Sequence, residues 1–153
     1  MKMKMFLYVF SFFCLFSIMA KAENFAKQKI VVENVVDGDT IYATILENKR
    51  FVIIRFADID CLEQYIKSKR LQKQVEKYGL SRDEILKRGK IAKEKLQDIL
   101  KKHEKNIWFK ETPEKICKNN HNRLVGIVYA GDINVNEYML NNADCTVFNC
   151  SED

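Results

Sequence analysis

The sequence predicts an α+β domain: a small five-stranded β-barrel carrying a long helix and a short second helix. Three observations predict it. Residues 29–59 hold three β-rich runs joined by short turns, the pattern of a meander. From Arg82 to Lys102, apolar residues recur at helical spacing along one stripe. Two more β-rich runs, at 106–111 and 123–130, then lead into a short helical segment.

The chain has 153 residues, enough for one domain with a real core. Its start is of a different kind. Lys2 and Lys4 are followed by an uncharged, mostly apolar run over 5–19, and Ala20-Lys21-Ala22 supplies small residues where a signal peptidase reads. Residues 1–22 are therefore expected to be a secretory signal peptide and 23–153 a single domain. A buried helix or an uncleaved anchor is the competing reading, but the run is short for a span of about 20 residues. The expectation is an exported protein, periplasmic or secreted, monomeric, with no stable membrane insertion after cleavage. Without the three lysines of the signal, the net charge falls from +5 to +2. That is too mild to mark a nucleic-acid binder, so any such attraction has to come from local patches.

Residues 29–36 are β-rich through Ile30, Val31, Val32, Val35 and Val36, and Asp37-Gly38 signals a turn. Residues 40–46 alternate, with Ile41, Ala43 and Ile45 on one face, and Glu47-Asn48-Lys49 marks the next turn. Residues 51–59 form the third strand. The stretch 61–80 is long and polar, with room for partial helix; such a connection in a small domain is more often functional than accidental. Ser81-Arg82-Asp83-Glu84 is a capping box, the serine capping the helix start and the glutamate reaching back. Ile85, Gly89, Ala92, Leu96 and Ile99 then share a stripe, opposite a charged face that reads as solvated. Residues 106–111 and 123–130 are the last two strands, separated by a polar loop. Gly131-Asp132 turns the chain into a short helix, Val135 to Asn142, with Asn134 as its cap; residues 143–153 show little pattern. Five strands of this length can close into a barrel of the OB type, which removes most sheet edges.

The chemistry is concentrated in Asp37-Gly38-Asp39-Thr40, Arg55 and Asp60-Cys61-Leu62-Glu63. Carboxylates at strand ends suit a hard divalent cation, which takes oxygen ligands. An arginine beside them suits a phosphate, because its planar fork matches phosphate oxygens. Together they point to metal-assisted cleavage of a phosphodiester. Each residue also has a plainer reading: Asp39 shaping a turn, Asp60 closing a strand, Glu63 a loop charge. Arg55 in an apolar strand resists that reading, since a buried charge needs a partner.

Cys14 leaves with the signal, and Cys61, Cys117, Cys145 and Cys150 remain. An even count in an exported chain favours disulfides, and four cysteines allow three pairings. Cys61–Cys117 and Cys145–Cys150 are the pairs expected, the second because its members are close and near the chain end. Cys117 and His121 have a zinc-like spacing, but no second close pair completes the site. Nothing local supports Cys61 as a thiol nucleophile based by His121.

The ordered set of Val36-Asp37-Gly38-Asp39-Thr40, Arg55, Ile59-Asp60 to Glu63, Val75-Glu76-Lys77-Tyr78-Gly79, Asn122-Arg123 and Val135-Asn136-Glu137 resembles the staphylococcal nuclease (thermonuclease) family. The similarity runs over about residues 30–143, and no single piece of it is specific. The resemblance implies an OB-type barrel with packed helices and calcium-dependent hydrolysis of DNA and RNA. It implies that Asp39 and Asp60 bind Ca2+ through their carboxylates and Cys61 through its backbone carbonyl. It implies Glu63 as the general base, and Arg55 and Arg123 as the phosphate-holding arginines, with Asp37 and Thr40 in support.

The chain departs from the family pattern in three places. Cys61-Leu62 stands where the family has Thr-Pro, which keeps a carbonyl but loses the rigidity of proline. A Cys61–Cys117 bridge would restore that rigidity, and a Cys145–Cys150 bridge would staple the tail. The stretch between Glu63 and Val75 is a few residues longer. After the second helix, the stacking tyrosines and third helix of the best-known member are missing, with Phe148 the only aromatic substitute. Stacking is worth about 1–3 kcal/mol per base, so weaker or differently shaped substrate binding is expected. Two other classes stay open: a non-catalytic nucleic-acid or protein binding module of the same fold, and a protein using calcium for stability alone.

Overall fold

The computed structural model describes residues 26–112 and 122–148. The predicted meander forms β1 (Gln28–Val35), β2 (Thr40–Ile45) and β3 (Arg50–Phe56). Each pairs antiparallel with the next, Ile30 opposite Ile45 and Ile41 opposite Ile54. Alternation turns Ile41, Ala43, Ile45, Val52, Ile54 and Phe56 inward, all buried. The later strands β5 (Ile107–Glu111) and β6 (Leu124–Ala130) pair with each other, and β5 also pairs with β1. A parallel pairing of β6 with β3, Ile54 beside Leu124, closes the five strands into a barrel. A two-residue β7 (Ile133–Asn134) extends the sheet beyond β6. The chain thus has the α+β, OB-type fold that the pattern predicts.

The third strand is shorter than expected. Asp58 takes a left-handed φ of 59°, which an aspartate tolerates, and the chain turns there. Residues 59–61 then run apart as β4 (Ile59–Cys61), and β4 pairs with β8 (Cys145–Val147) from the tail that showed no pattern. Three residues are too few to display alternation, and their partner lies far away in sequence.

Among the described residues, three helices pack on this frame. The polar stretch after Glu63 contains α1 (Lys69–Tyr78), capped by the Ser68 hydroxyl and closed by left-handed Gly79. The predicted long helix is α2 (Arg82–Lys102), and all five residues of its stripe are buried. Ser81 caps α2 by accepting from the Glu84 N–H at 3.2 Å. The Glu84 carboxylate does not reach back as the capping box predicts; it takes Arg88 one turn on, at 2.7 Å. Helix α3 (Val135–Asn142) starts at Asn134, as expected. Its buried Asn136 donates to the carbonyls of Ala57 and Gly126 and accepts from the Val128 N–H, which locks α3 to the turn before β4 and to β6.

The cysteine expectation is corrected. Cys61 is bridged to Cys145, because β4 and β8 set the two residues directly opposite each other. Neither expected pair can then form. Cys117, Cys150, His121 and the signal segment lie outside the described residues. Among the described residues, no helix is long and apolar enough to cross a membrane.

Candidate active site around Arg55

Where β2 begins, β3 ends and β4 runs, the predicted charged residues converge. Arg55 is 8% exposed, and so are its needs met by carboxylates: Nη1 meets Asp39 Oδ1 at 2.5 Å and Nη2 meets Asp60 Oδ1 at 3.0 Å. Strand register explains the placement. Thr40 lies opposite Arg55, so the start of β2 brings Asp39 to the guanidinium. The Asp58 turn returns the chain so that Asp60, five residues on, faces the same group.

Asp39 is also held by its neighbours. The Cys61 N–H donates to its Oδ2 at 2.7 Å and the Thr40 hydroxyl to its Oδ1 at 3.1 Å. Burial opposes the Asp39 charge, but Arg55 and the Cys61 N–H outweigh it and hold the carboxyl below its usual range. Burial, with Asp39 close by, pushes the Asp37 carboxyl up to about 7. Gly38 sits between them for reasons of space. A Cβ there would come within 2.8 Å of the Cys61 Cβ, so the glycine of Asp-Gly-Asp-Thr admits the disulfide.

Glu63 stands on the loop between β4 and α1. Its Oε1 accepts from the N–H groups of Gln64 (2.9 Å) and Tyr65 (3.1 Å), and its Oε2 from the Ser68 hydroxyl at 2.5 Å. Gln64 and Tyr65 reach across to the Val36 carbonyl, fastening this loop to the turn that carries Asp37. Gln74, buried on α1, accepts from the Glu63 N–H at 2.8 Å and donates to the Cys61 carbonyl at 3.1 Å. That carbonyl retains a second lone pair. Helix α1 thus does what the lost proline would have done for the loop.

Arg123 precedes β6, and the parallel register of β6 on β3 puts it on the same side of the sheet as Arg55. Burial lowers its pKa, and the Arg55 and Arg70 guanidiniums lower it further. The Phe148 ring, just past β8, lies 5.8 Å from the Arg55 guanidinium carbon, within cation–π range. The structure therefore brings Asp39, Arg55, Asp60, Cys61 and Glu63 into one connected network, with Arg123 in its field.

Two residues of the network carry no signal in the sequence. Arg70, in the first turn of α1, ion-pairs with Asp60 Oδ1, the oxygen that Arg55 already holds. Gln74 sits one helical turn beyond it. Both lie in a run of Lys, Arg and Gln whose members look alike until α1 is seen to press one face onto the site. Among the described residues, no three His, Cys, Asp or Glu side chains form a metal-holding group by themselves. The donors at the centre are hard oxygens (two buried carboxylates, a hydroxyl and a carbonyl), which is the kind calcium takes with water or phosphate completing the set.

The family model for staphylococcal nuclease homologues matches residues 53–147, from within β3 to the last residue of β8. No curated protein matches the chain.

Proposed function

The chain belongs to the staphylococcal nuclease homologue family, and from that premise we propose that it is an exported, calcium-dependent nuclease cleaving phosphodiester bonds of DNA, with RNA as a second substrate. One observation carries the reading: the buried Arg55 guanidinium joins the Asp39 and Asp60 carboxylates at 2.5 and 3.0 Å. A buried cation set between two carboxylates, with a second arginine in its field, is an arrangement matched to a phosphate and a dication together.

In this reading Asp39 and Asp60 hold the cation through carboxylate oxygens, and Cys61 adds its backbone carbonyl. Calcium, when bound, withdraws charge from the phosphate and orients it for attack. Glu63 accepts the proton of the attacking water at a carboxylate oxygen. Its bonds to Ser68 and to two N–H groups fix its direction and fill about three of its four acceptor sites, leaving capacity for that water. Arg55 and Arg123 donate to the phosphate oxygens whose charge grows in the transition state.

The test is cleavage of single- and double-stranded DNA and of RNA by residues 23–153, with calcium and with chelator. Arg55→Ala and Glu63→Gln are run beside it. Each substitution is expected to lower kcat by about a hundredfold or more, and chelation to abolish cleavage. A folded, oxidised chain that cuts none of these substrates in calcium refutes the nuclease reading.

A further inference from the structure

Asp60 carries two guanidiniums on a single carboxylate oxygen. Arg55 already satisfies its Oδ1 at 3.0 Å, from a side chain only 10% exposed. Arg70 adds a second guanidinium to that same oxygen from a side chain 46% exposed, on the rim of the site. Arg70 is not there for its helix either. It lies in the first turn of α1, at the positive end of the helix dipole, and that turn holds no acid. Ser68, the cap of the same helix, holds Glu63, so one helix start engages Glu63 through its cap and Asp60 through Arg70.

We propose that Arg70 is a third phosphate-binding arginine of this site, one that exchanges Asp60 for an oxygen of the substrate phosphodiester. The inference rests on the nuclease reading above and extends it to a residue that the family pattern does not assign. The Arg55 side chain is only 10% exposed and is held from two sides by carboxylates. Arg70 is half-exposed, holds Asp60 through the tip of its side chain, and lies on a helix whose N-terminal N–H groups also favour an anion. Its lowered cost of release follows from Asp60 keeping Arg55 when Arg70 leaves. Arg70 and a divalent cation compete for Asp60, whereas Arg70 and a bound phosphate cooperate.

That competition gives one substitution two effects of opposite sign. Calcium binding without nucleotide, and thymidine 5′-monophosphate binding in saturating calcium, are measured by titration calorimetry on the oxidised chain 23–153. The variants are Arg70→Met, which keeps the length of the stem, Arg70→Lys, which keeps a charge but loses the fork, and Lys90→Met on the exposed face of α2 as a charge control. Arg70→Met is expected to bind calcium several-fold more tightly and the nucleotide about tenfold more weakly than wild type. Arg70→Lys falls between, and Lys90→Met matches wild type. A purely structural role for Arg70 weakens both ligands together, and that result overturns the inference, as do unchanged affinities. If Arg70→Met fails to fold, the opposed shifts in Arg70→Lys decide. Wild-type protein that cleaves DNA in calcium while Arg70 variants bind as it does sinks this inference alone; wild-type protein that binds neither calcium nor nucleotide sinks the nuclease reading with it.

Discussion

A single buried amide sets much of the geometry at this site. Gln74 takes the Glu63 N–H and gives a proton to the Cys61 carbonyl, so one side chain spaces two groups that the proposed chemistry needs. Losing it strands a part-buried donor, which water can reach, and a buried acceptor, which costs about 1–3 kcal/mol if left unmet. Gln74→Ala is therefore expected to lower unfolding free energy by about 1–3 kcal/mol and to reduce cleavage. Gln74→Glu separates the two bonds. Its carboxylate can still accept from Glu63 but cannot donate to Cys61, so it should retain the Glu63 contact and set a second carboxylate against the Cys61 carbonyl. Denaturant unfolding and kcat measured on both variants check this; equal activity in wild type and Gln74→Ala refutes it. Nothing in the sequence distinguishes Gln74 from Gln72 two residues earlier, because helical phase, not residue type, turns one inward. Arg55 is the contrast. Its lone charge among Val52, Ile53, Ile54 and Phe56 is visible in the sequence and demands the partners the structure supplies.

At the scale of elements, α2 is legible as a helix but not as a wall of the site. Its stripe Ile85, Gly89, Ala92, Leu96 and Ile99 follows from spacing, and the burial of all five follows from the stripe. What the stripe faces could not be read. At Gly89 an added Cβ would lie 2.3 Å from the Glu63 carbonyl oxygen and 2.6 Å from that of Leu62. The loop bearing the proposed base thus lies against bare helix backbone. On propensity alone, Gly89→Ala would stabilise α2 by about 0.5–1 kcal/mol. Here the clash is with backbone that Gln74 and the disulfide also hold, so overpacking of about 1–3 kcal/mol should win. The expected outcome is a less stable protein with Glu63 displaced and cleavage reduced, read by thermal unfolding and by kcat. A gain in Tm with full activity would mean that the loop yields freely. Helix α1 is the opposite case. Its small apolar cluster, Leu71 with Leu62 and Ile85, is too thin to mark a helix within a polar stretch, and its anchorage is tertiary.

Across the whole molecule, the barrel could be read from alternation because its strands pair mostly with near neighbours in sequence. The site could be read only in part, since it is assembled from the ends of β2 and β3, from β4, α1, the start of β6 and the tail. The β4–β8 pairing closes that assembly over a sequence separation of 84 residues, and no local signal foretells such a contact. For that reason the nearby pair Cys145–Cys150 looked favourable in the sequence while Cys61–Cys145 is what forms. The bridge fastens the residue whose N–H holds Asp39 to the strand that precedes Phe148. A cross-link over a loop this long stabilises by about 4–5 kcal/mol in the chain-entropy picture, and native bridges in small exported domains commonly contribute about 2–5. Cys61→Ala with Cys145→Ser should therefore lower unfolding free energy by about 2–5 kcal/mol, measured by urea titration without reductant. The loss should reach the site as well as the fold. With β4 freed from β8, the Cys61 N–H no longer holds Asp39 in one position, so calcium binding should weaken at temperatures where the double variant is still folded. If instead stability falls while calcium affinity stays at the wild-type value, the bridge serves the fold alone, and the β4 loop is held at the site by Gln74 and Gly89.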